Sequence, residues 1–581
     1  MLVNIDDMNK SVLAGFILLL HGLQQGVAQQ IIGPGKQVNP YNYQIKKSNI
    51  VSKAGVASAH PLASKVGVAI MKMGGNAFDA AIAVQFTLAV VYPGAGNIGG
   101  GGFMVARRKN GDLLSLDYRE MAPFAASRNM YLDSAGNALT DLSQDGHLSA
   151  GVPGTVAGLE KTSIYSRLSW KKLVQPAIDL AQYGFVITAS EAASLNALKN
   201  EFTRLNTVLP VFVRNREWKA GDTLVQKELA ATLIRIRDLG KDGFYKGKTA
   251  ELIVAEMKRG KGIITLADLA NYHAEWRDPI RFQYKDDYTV ITMPPPSSGG
   301  VLLAQMMNML KTHDLKQMGF LSPAYTQLVV EAERRAYADR AEHLGDMDFY
   351  PVPIQQLTSE EYAQKRMLNY VPGMAGKSSD IKAGVIPKES EETTHLSVFD
   401  AEGNMVAVTT TLNGGYGSRT VVGGAGFLLN NEMDDFSIKP GVPNMYGAVG
   451  GEANAIQPYK RMLSSMTPTL VLKKGKPYIV CGTPGGTTII TSVLQTIMNI
   501  IEFDMNAADA VNNPKFHHQW LPDVVFVEKK FPVNVQEELK KMGYTITQRG
   551  AIGRTEVIKI TGKNRVEIAA DTRGDDAAEG F

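Results

Sequence analysis

A highly charged, loop-like segment, residues 377–392, passes directly into an apolar hairpin in the middle of the chain. It is the one clear break in composition along the sequence. Asp400 to Gly403 is typical of a turn, and apolar residues recur on both sides of it at Leu396, Val398, Met405, Val406 and Val408. The pattern predicts two adjacent buried strands with Thr393 at the mouth of the first.

The composition allows a large buried core. Of the 581 residues, 44% are hydrophobic, and length alone suggests roughly three or four domains. The 61 basic and 57 acidic side chains are spread along the chain without a Lys/Arg block, so no nucleic-acid partner is expected. Cys481 is the only cysteine, which excludes an intramolecular disulfide framework and leaves a large core to hold the protein together.

The N-terminus has the pattern of a secretory signal. The apolar run from Val12 to Leu20 is too short to span a bilayer, and the small residues Gly26-Val27-Ala28 follow it. Residues 1–28 are therefore predicted to be a signal peptide, with Met1 or Met8 as the start. Its removal predicts a secreted protein, periplasmic or extracellular, with no membrane span.

Helical and strand-like patterns alternate along the rest of the chain. Two helices are predicted between Ala59 and Val91, separated at residues 74–76. Further helices are predicted at Leu173–Gln182, Leu224–Leu239, Ala324–His343 and Thr487–Phe503, and strands at Tyr288–Met293 and Tyr478–Gly482. The charged face from Glu331 to Arg340 is predicted to be solvated. This mixture favours an α+β fold in which helices cover layered sheets.

Thr393 can act as a nucleophile only if a base activates its hydroxyl. The simplest base is the threonine's own α-amine, whose ordinary pKa of about 7.7–8.0 suits work near neutral pH. That amine exists only if the chain is cut between Glu392 and Thr393. The Thr393 hydroxyl could make this cut by attacking the Glu392 carbonyl, after which the resulting ester hydrolyses. Thr393 is otherwise simply a strand residue.

Three downstream motifs fit such chemistry. Gly485-Gly486 lies between a predicted strand and a predicted helix, where backbone N–H groups can hold an oxyanion, although Gly-Gly there is also a common turn. Ser464-Ser465 lies ahead of another strand. A polar run contains Asn431, Glu432, Asp434 and Asp435, which could bind an amino acid or form a solvated loop.

Seven motifs occur in an order that resembles the γ-glutamyltranspeptidase family of N-terminal-nucleophile (Ntn) hydrolases. They are TTHLSVFD, TTTLN, LLNNEMDDFS, PGVPNMYG, SSMTPT, GTPGG and FHHQW. The resemblance implies a four-layer αββα sandwich built from two autoprocessed subunits. The expected parts are a large subunit, residues 29–392, and a small catalytic subunit, residues 393–581, which form a heterodimer.

The resemblance also implies roles for individual residues. Thr393 would be the nucleophile for processing and catalysis, and Thr411 would contact its amine. Gly485 and Gly486 would supply the oxyanion donors. The remaining roles concern the bound glutamyl group: its α-carboxylate would meet Arg119, Ser464 and Ser465, its α-ammonium would meet Asn413, Glu432 and Asp435, and Tyr446 in a lid at 439–451 would close over it.

The expected substrates are glutathione and other γ-glutamyl compounds, with water, amino acids or dipeptides as acceptors. No cofactor and no metal are expected, and His517-His518 is interpreted as structural because adjacent strand residues point apart. The glycine-rich stretch from Gly96 to Gly102 lacks the Lys-Ser/Thr of a phosphate loop and is expected to let backbone pass close to the active site. The loop Met293–Gly300 is expected to cap a helix.

Two other functions stay open. The same fold could act on a different acyl group, as cephalosporin-type acylases and polyglutamate depolymerases do, although Arg119, Asp435 and the lid favour recognition of an α-amino acid. The protein could instead be an uncut, catalytically silent binding protein. That alternative predicts one chain that binds a glutamyl ligand without turnover.

Overall fold

The computed structural model of the protein describes residues 38–381, 394–439, 442, 444, 445, 447 and 450–581. The predicted signal peptide, the predicted cleavage site Glu392–Thr393 and the predicted lid residue Tyr446 lie outside the described residues.

Strands of the described residues run through most of the chain. They are β1 (Ser48–Val51), β2 (Gly55–Ser58), β3 (Gly101–Arg107), β4 (Leu113–Tyr118), β5 (Phe185–Val186), β6 (Thr223–Leu224), β7 (Glu275–Arg277), β8 (Ile280–Tyr284), β9 (Tyr288–Thr292), β10 (Thr394–Phe399), β11 (Met405–Thr411), β12 (Thr469–Lys473), β13 (Lys476–Gly482), β14 (Phe516–His517), β15 (Val525–Glu528), β16 (Ile546–Arg549), β17 (Glu556–Gly562), β18 (Arg565–Ala570) and β19 (Ala577–Gly580).

Helices connect these strands. They are α1 (Pro61–Lys72), α2 (Ala77–Val91), α3 (Thr140–Gln144), α4 (Thr155–Thr162), α5 (Trp170–Tyr183), α6 (Ala189–Ala197), α7 (Lys199–Leu205), α8 (Lys227–Leu239), α9 (Asp242–Tyr245), α10 (Gly247–Gly260), α11 (Leu266–Asn271), α12 (Gly299–Leu310), α13 (Leu315–Met318), α14 (Pro323–His343), α15 (Ile354–Leu357), α16 (Glu360–Met367), α17 (Thr488–Ile501), α18 (Ala507–Asn512) and α19 (Val533–Lys541).

Two seven-stranded sheets form the centre of the fold. One has the order β1-β18-β17-β13-β12-β9-β8, and the other has the order β19-β2-β10-β11-β3-β4-β7. The sheets face each other, with β10 and β11 packed against β13. Helices α1 and α2 cover the second sheet, and α12 and α17 contact strands of the first. The predicted four-layer αββα sandwich is confirmed.

The predicted hairpin lies at the middle of the second sheet. Strands β10 and β11 pair antiparallel from Thr394 opposite Thr410 to Phe399 opposite Met405. Every residue of both strands is buried, because helices cover one face of the sheet and the first sheet covers the other. The hairpin prediction is therefore confirmed.

Most of the helix predictions are confirmed, with small shifts at their ends. The break between α1 and α2 occurs because Gly74 takes a left-handed φ of 96° and Asn76 forms a capping box with Asp79. Helix α8 begins at Lys227 rather than at Leu224, because residues 223–224 pair with β5 instead. The Met293–Gly300 loop leads into α12, but the N-cap residue Ser298 makes no side-chain capping bond; the Ser297 hydroxyl instead accepts the N–H of Gly299, the first residue of the helix, at 3.1 Å.

The prediction of a solvated charged face on α14 is wrong. Every residue from Glu331 to Arg340 is buried, because α14 packs between α12 and α19. Its charges are paired inside the protein: Arg335 lies 2.5 Å from Glu331, and Arg334 also contacts Glu331. A one-dimensional pattern cannot distinguish a solvated charged face from one whose charges are satisfied by buried partners.

Cys481, the only cysteine, is fully buried in β13. Within the described residues, no helix combines the length and the apolarity needed to cross a bilayer.

Candidate active site

A polar pocket opens where β11, the turn before α17 and the loop containing Ser464 meet. The pocket has a volume of about 330 Å³ when the space open to solvent at its mouth is included. It is lined by Arg119, Arg340, Thr411, Asn413, Asp435, Asn444, Ser464, Ser465, Met466, Gly486, Thr487 and Ile489. Seven of these residues, distant in sequence, were predicted as site residues, and the fold brings them together.

The edge of the polar pocket is formed by the end of β11. Thr394, which follows the predicted nucleophile in sequence, pairs with Thr410. The Thr411 hydroxyl accepts the N–H of Asn413 at 2.7 Å. Asn413 has a left-handed φ of 74°, a conformation that asparagine tolerates better than most residues, and its side-chain amide donates to the Asn431 carbonyl at 3.0 Å. The Thr411 and Asn413 side chains are thus held at the pocket.

The predicted oxyanion glycines form the turn that leads into α17. Gly485 and Gly486 have φ values of 137° and 53°, and the Gly485 carbonyl accepts the first N–H of the helix, from Thr488, at 3.0 Å. A Cβ atom at Gly485 would lie 2.5 Å from the Thr488 hydroxyl, so this position requires glycine. Neither glycine N–H has an acceptor in the described part of the chain, which leaves both amides able to bind an anion.

Arg119 is the centre of a buried charge cluster behind these elements. Its guanidinium lies 2.5 Å from Glu432, contacts Asp435, and is 3.6 Å from Glu120. Its Nε also donates to the Met462 carbonyl at 3.3 Å. The side chains of Arg119, Glu120 and Glu432 are at most 1% exposed. One cation and three carboxyl groups therefore share a small desolvated space.

Burial perturbs the protonation of this cluster. It raises the pKa of Glu120 to about 8 and that of Glu432 well above its usual range, although Arg119 opposes both shifts. Burial also raises the pKa of Asp435, again against the effect of Arg119. A further cation placed beside Glu432 and Asp435 would stabilise their charged forms. The cluster is consequently suited to an ammonium group.

Comparisons with known proteins show the family of the chain. Residues 63–581 match the family described as Gamma-glutamyltranspeptidase. The chain belongs to the γ-glutamyltranspeptidase family. It is 47% identical over 531 residues to the "Glutathione hydrolase proenzyme" of Escherichia coli (strain K12), covering 90% of this chain and 91% of that protein.

Solved structures give the same fold. The cephalosporin acylase from Bacillus halodurans matches with a TM-score of 0.82 and 26% identity, over 95% of this chain and 99% of that one. A chain of the Helicobacter pylori γ-glutamyltranspeptidase matches with a TM-score of 0.55 and 43% identity, over 59% of this chain and 96% of that one. The predicted family and its sandwich fold are confirmed.

The two serines face the polar pocket with their hydroxyl protons available. The Ser464 hydroxyl accepts the N–H of Met466 at 3.1 Å, and the Ser465 hydroxyl accepts from Arg340 at 3.2 Å. Neither hydroxyl has an acceptor for its own proton in the described ranges. Each serine is therefore oriented by a protein donor and can still donate one hydrogen bond to a ligand.

Five pocket residues were not predicted from the sequence, and the side chains of two of them, Arg340 and Asn444, contact predicted site residues. Asn444, within the predicted lid segment, donates to Asp435 at 2.8 Å. Arg340 was assigned to the solvated face of α14. No local signal distinguishes Arg340 from the other charged residues of that helix, whereas Asn444 lies in the predicted lid, where only Tyr446 was given a role.

The glycine-rich stretch passes close to the site, as predicted. A Cβ atom at Gly100 would lie 2.1 Å from the Thr411 carbonyl, and one at Gly102 would lie 2.6 Å from the Thr409 carbonyl. Only glycine allows β3 to approach β11 this closely.

The two adjacent histidines are buried behind the oxyanion turn. Burial lowers the pKa of His517 to about 3 and that of His518 to about 4, so both are neutral near pH 7. His517 contacts the Thr491 hydroxyl at 2.9 Å, and His518 accepts the N–H of Trp520 at 3.0 Å. These contacts suit a structural role, and among the described residues no group of three or more His, Cys, Asp or Glu side chains is arranged to hold a metal ion.

Proposed function

We propose that the chain hydrolyses the γ-glutamyl amide bond of glutathione and related compounds and transfers the glutamyl group to water, amino acids or dipeptides. The observation that carries the proposal is the cluster of Arg119, Glu432 and Asp435 beside the oxyanion turn at Gly485-Gly486. The glutathione hydrolase name of the Escherichia coli relative supports it.

The polar pocket suits the amino-acid end of a γ-glutamyl group. The α-ammonium and the α-carboxylate are bonded to the same carbon, so the groups that bind them must adjoin. Arg119 is in direct contact with Glu432 and Asp435, which meets this requirement. The carboxylate would bind Arg119 and the hydroxyls of Ser464 and Ser465.

The ammonium would bind Glu432, Asp435 and Asn413. In this orientation the γ-carbonyl extends toward the start of β10. Tyr446 in the lid, residues 439–451, would close over the bound group.

The reaction then follows from the chemical groups at the edge of the polar pocket. The α-amine of Thr393 takes the hydroxyl proton while Thr393 Oγ attacks the γ-carbonyl carbon. The negative charge that develops on the carbonyl oxygen is held by the N–H groups of Gly485 and Gly486 at the positive end of α17. The ammonium of Thr393 returns the proton to the leaving amine as the amide bond breaks. Water or an acceptor amine next attacks the ester, and Thr393 Oγ recovers its proton.

Maturation supplies the α-amine. The Thr393 hydroxyl attacks the Glu392 carbonyl, the acyl group moves from nitrogen to oxygen, and water hydrolyses the ester. The products are the large subunit, residues 29–392, and the small subunit, residues 393–581. Strands of both subunits would lie in each sheet, where β10 pairs with β2, β11 with β3, and β12 with β9. This interleaving would keep the cut chains together as a heterodimer.

The resemblance to the Bacillus halodurans cephalosporin acylase supports a second candidate, hydrolysis of a different acyl group. The two candidates differ in what the pocket must bind. A γ-glutamyl donor needs binding groups for two opposite charges, whereas an acyl group that lacks an α-amino acid does not. The Arg119 cluster favours the first candidate.

One pair of measurements tests the proposal. Intact mass of the purified protein should give two chains that meet at Glu392 and Thr393. Release of p-nitroaniline from γ-glutamyl-p-nitroanilide should follow, and glycylglycine should stimulate it if transfer occurs. Two chains without γ-glutamyl turnover would favour the acylase candidate, and one uncut chain without turnover would contradict both.

Export of the mature protein is also proposed from the predicted signal, residues 1–28. Cell fractionation that finds the cut enzyme in the cytoplasm with residues 1–28 attached would contradict it.

A further inference from the structure

Arg340 lines the polar pocket, but no substrate contact has been assigned to it. It is 7% exposed and lies near the C-terminal end of α14, which belongs to the predicted large subunit. Its Nε donates to the Ser298 hydroxyl at 3.0 Å, and one of its terminal nitrogens donates to the Ser465 hydroxyl at 3.2 Å. One planar guanidinium therefore holds two serine hydroxyls on different segments.

The Ser298 contact fixes the backbone next to the pocket. The Ser298 hydroxyl accepts a hydrogen bond from Arg340 and donates one to the Ser464 carbonyl at 2.7 Å. The Ser298 N–H donates to the same carbonyl at 2.8 Å. Arg340 thereby holds the start of the Ser464-Ser465 pair through a neutral hydroxyl.

The Ser465 contact fixes the direction of a hydrogen bond. A serine hydroxyl has one proton, and an oxygen that accepts from a guanidinium directs that proton elsewhere. In the described part of the chain no protein acceptor takes the Ser465 proton. A carboxylate in the polar pocket would take it, and the charged donor behind Ser465 would polarise the hydroxyl and strengthen that bond.

We infer that Arg340 is a positioning residue that makes Ser465 donate a hydrogen bond to the α-carboxylate of the γ-glutamyl substrate. Arg340 thereby sets the enzyme's preference for substrates that carry this carboxylate. The inference rests on the proposed function, because it assigns the carboxylate to the polar pocket. Arg340 also favours the ionised form of Asp435, whose pKa burial raises. A single side chain thus supports the binding groups for both ends of the α-amino acid.

The test compares two donors that differ only at this group: γ-glutamyl-p-nitroanilide and its counterpart in which the α-carboxylate is a carboxamide. Arg340→Met should raise KM for the carboxylate donor about 10- to 100-fold, because the hydrogen bond from Ser465 to the charged α-carboxylate is lost. The variant should change kcat less. The carboxamide donor should lose less than about threefold in kcat/KM, because its neutral carboxamide makes no charge-assisted hydrogen bond with Ser465.

Three variants separate positioning from general structural damage. Arg340→Lys keeps a buried cation and should be processed normally. It should nevertheless lose part of the carboxylate preference, because one ammonium group cannot reproduce both guanidinium contacts, with Ser298 and with Ser465. Once Ser465→Ala has been made, adding Arg340→Lys should cost the carboxylate donor little more. Arg335→Lys changes another buried arginine of α14, outside the pocket, and should keep the wild-type preference.

Two results would overturn the inference. The first is an equal loss for both donors in a processed Arg340 variant, with the wild-type preference retained, which would mean that Arg340 only supports the fold. The second is additive losses for Arg340→Lys and Ser465→Ala. A wild-type enzyme that accepts both donors equally would instead remove the carboxylate assignment in the proposed function, and this inference with it.

Discussion

The guanidinium of Arg119 lies 2.5 Å from the carboxylate of Glu432, and both side chains are almost completely buried. Burying either charge alone would be costly, and the pair lowers that cost by mutual attraction. Because Asp435 shares the same arginine, the site presents positive and negative groups side by side. That arrangement fits a ligand with both charges on one carbon.

Thr393→Ala should leave the precursor uncut and inactive, because neither the hydroxyl nor the new α-amine would exist. Intact mass and release of p-nitroaniline measure both effects. Thr394→Val is the matched control: the Thr394 hydroxyl is buried and has no hydrogen-bond partner among the described residues, so its removal should leave processing and activity near those of the wild type. A processed, active Thr393→Ala protein would show that the nucleophile is another residue.

Arg119→Lys should mainly weaken donor binding. A lysine ammonium keeps the charge but cannot replace the planar guanidinium that contacts Glu432 and Asp435, so KM for γ-glutamyl-p-nitroanilide should rise about 10- to 100-fold. Steady-state kinetics on the processed enzyme measure this. Arg108→Lys, in a surface ion pair with Asp112, should leave KM unchanged. Unchanged kinetics in Arg119→Lys would place the carboxylate elsewhere.

Gly485→Ala should lower kcat by about 100-fold or more, because the added Cβ would displace the turn that presents the two oxyanion amides. KM should change less, since the donor's α-amino acid binds at the other end of the pocket. Gly475→Ala is a control for strain alone: Gly475 has a φ of 76° in an open turn with no atom near its Cβ position. If both variants lost kcat equally, the effect would be general destabilisation rather than loss of the oxyanion site.

Asp434 should make stability depend on pH. Burial raises its pKa to about 7, whereas an unfolded aspartate titrates near 3.9. The folded carboxyl binds its proton more tightly, so the stabilisation is complete below about pH 4 and is lost as the pH rises to about 7. Asp434→Asn removes this titration.

The Tm of the wild type minus the Tm of Asp434→Asn should therefore fall by about 2 °C between roughly pH 5 and pH 8. Asp286→Asn, at an exposed position, is the control and should show a constant difference in Tm. A constant difference for Asp434→Asn as well would mean that Asp434 is already ionised at pH 5.

Local sequence was sufficient wherever an element is specified by its own residues. The β10–β11 hairpin, the two helices between residues 61 and 91 and the turn at Gly485-Gly486 were all predicted, because alternation, capping residues and glycines act over a few positions. The ordered motifs then identified the family, whose fold the structure confirms.

Tertiary structure decided which charged residues are buried, and why. Glu331 and Arg340 looked like parts of a solvated helix face, but α14 is enclosed by α12 and α19 and its charges find partners across the fold. Arg340 reaches Ser465 across 125 positions in sequence, and Arg119 reaches Asp435 across 316. The sequence by itself determined the family, the sandwich and most of the residues that meet at the pocket. Only the tertiary structure decided how their charges are paired, because the energy of a buried charge depends on neighbours that no local pattern encodes.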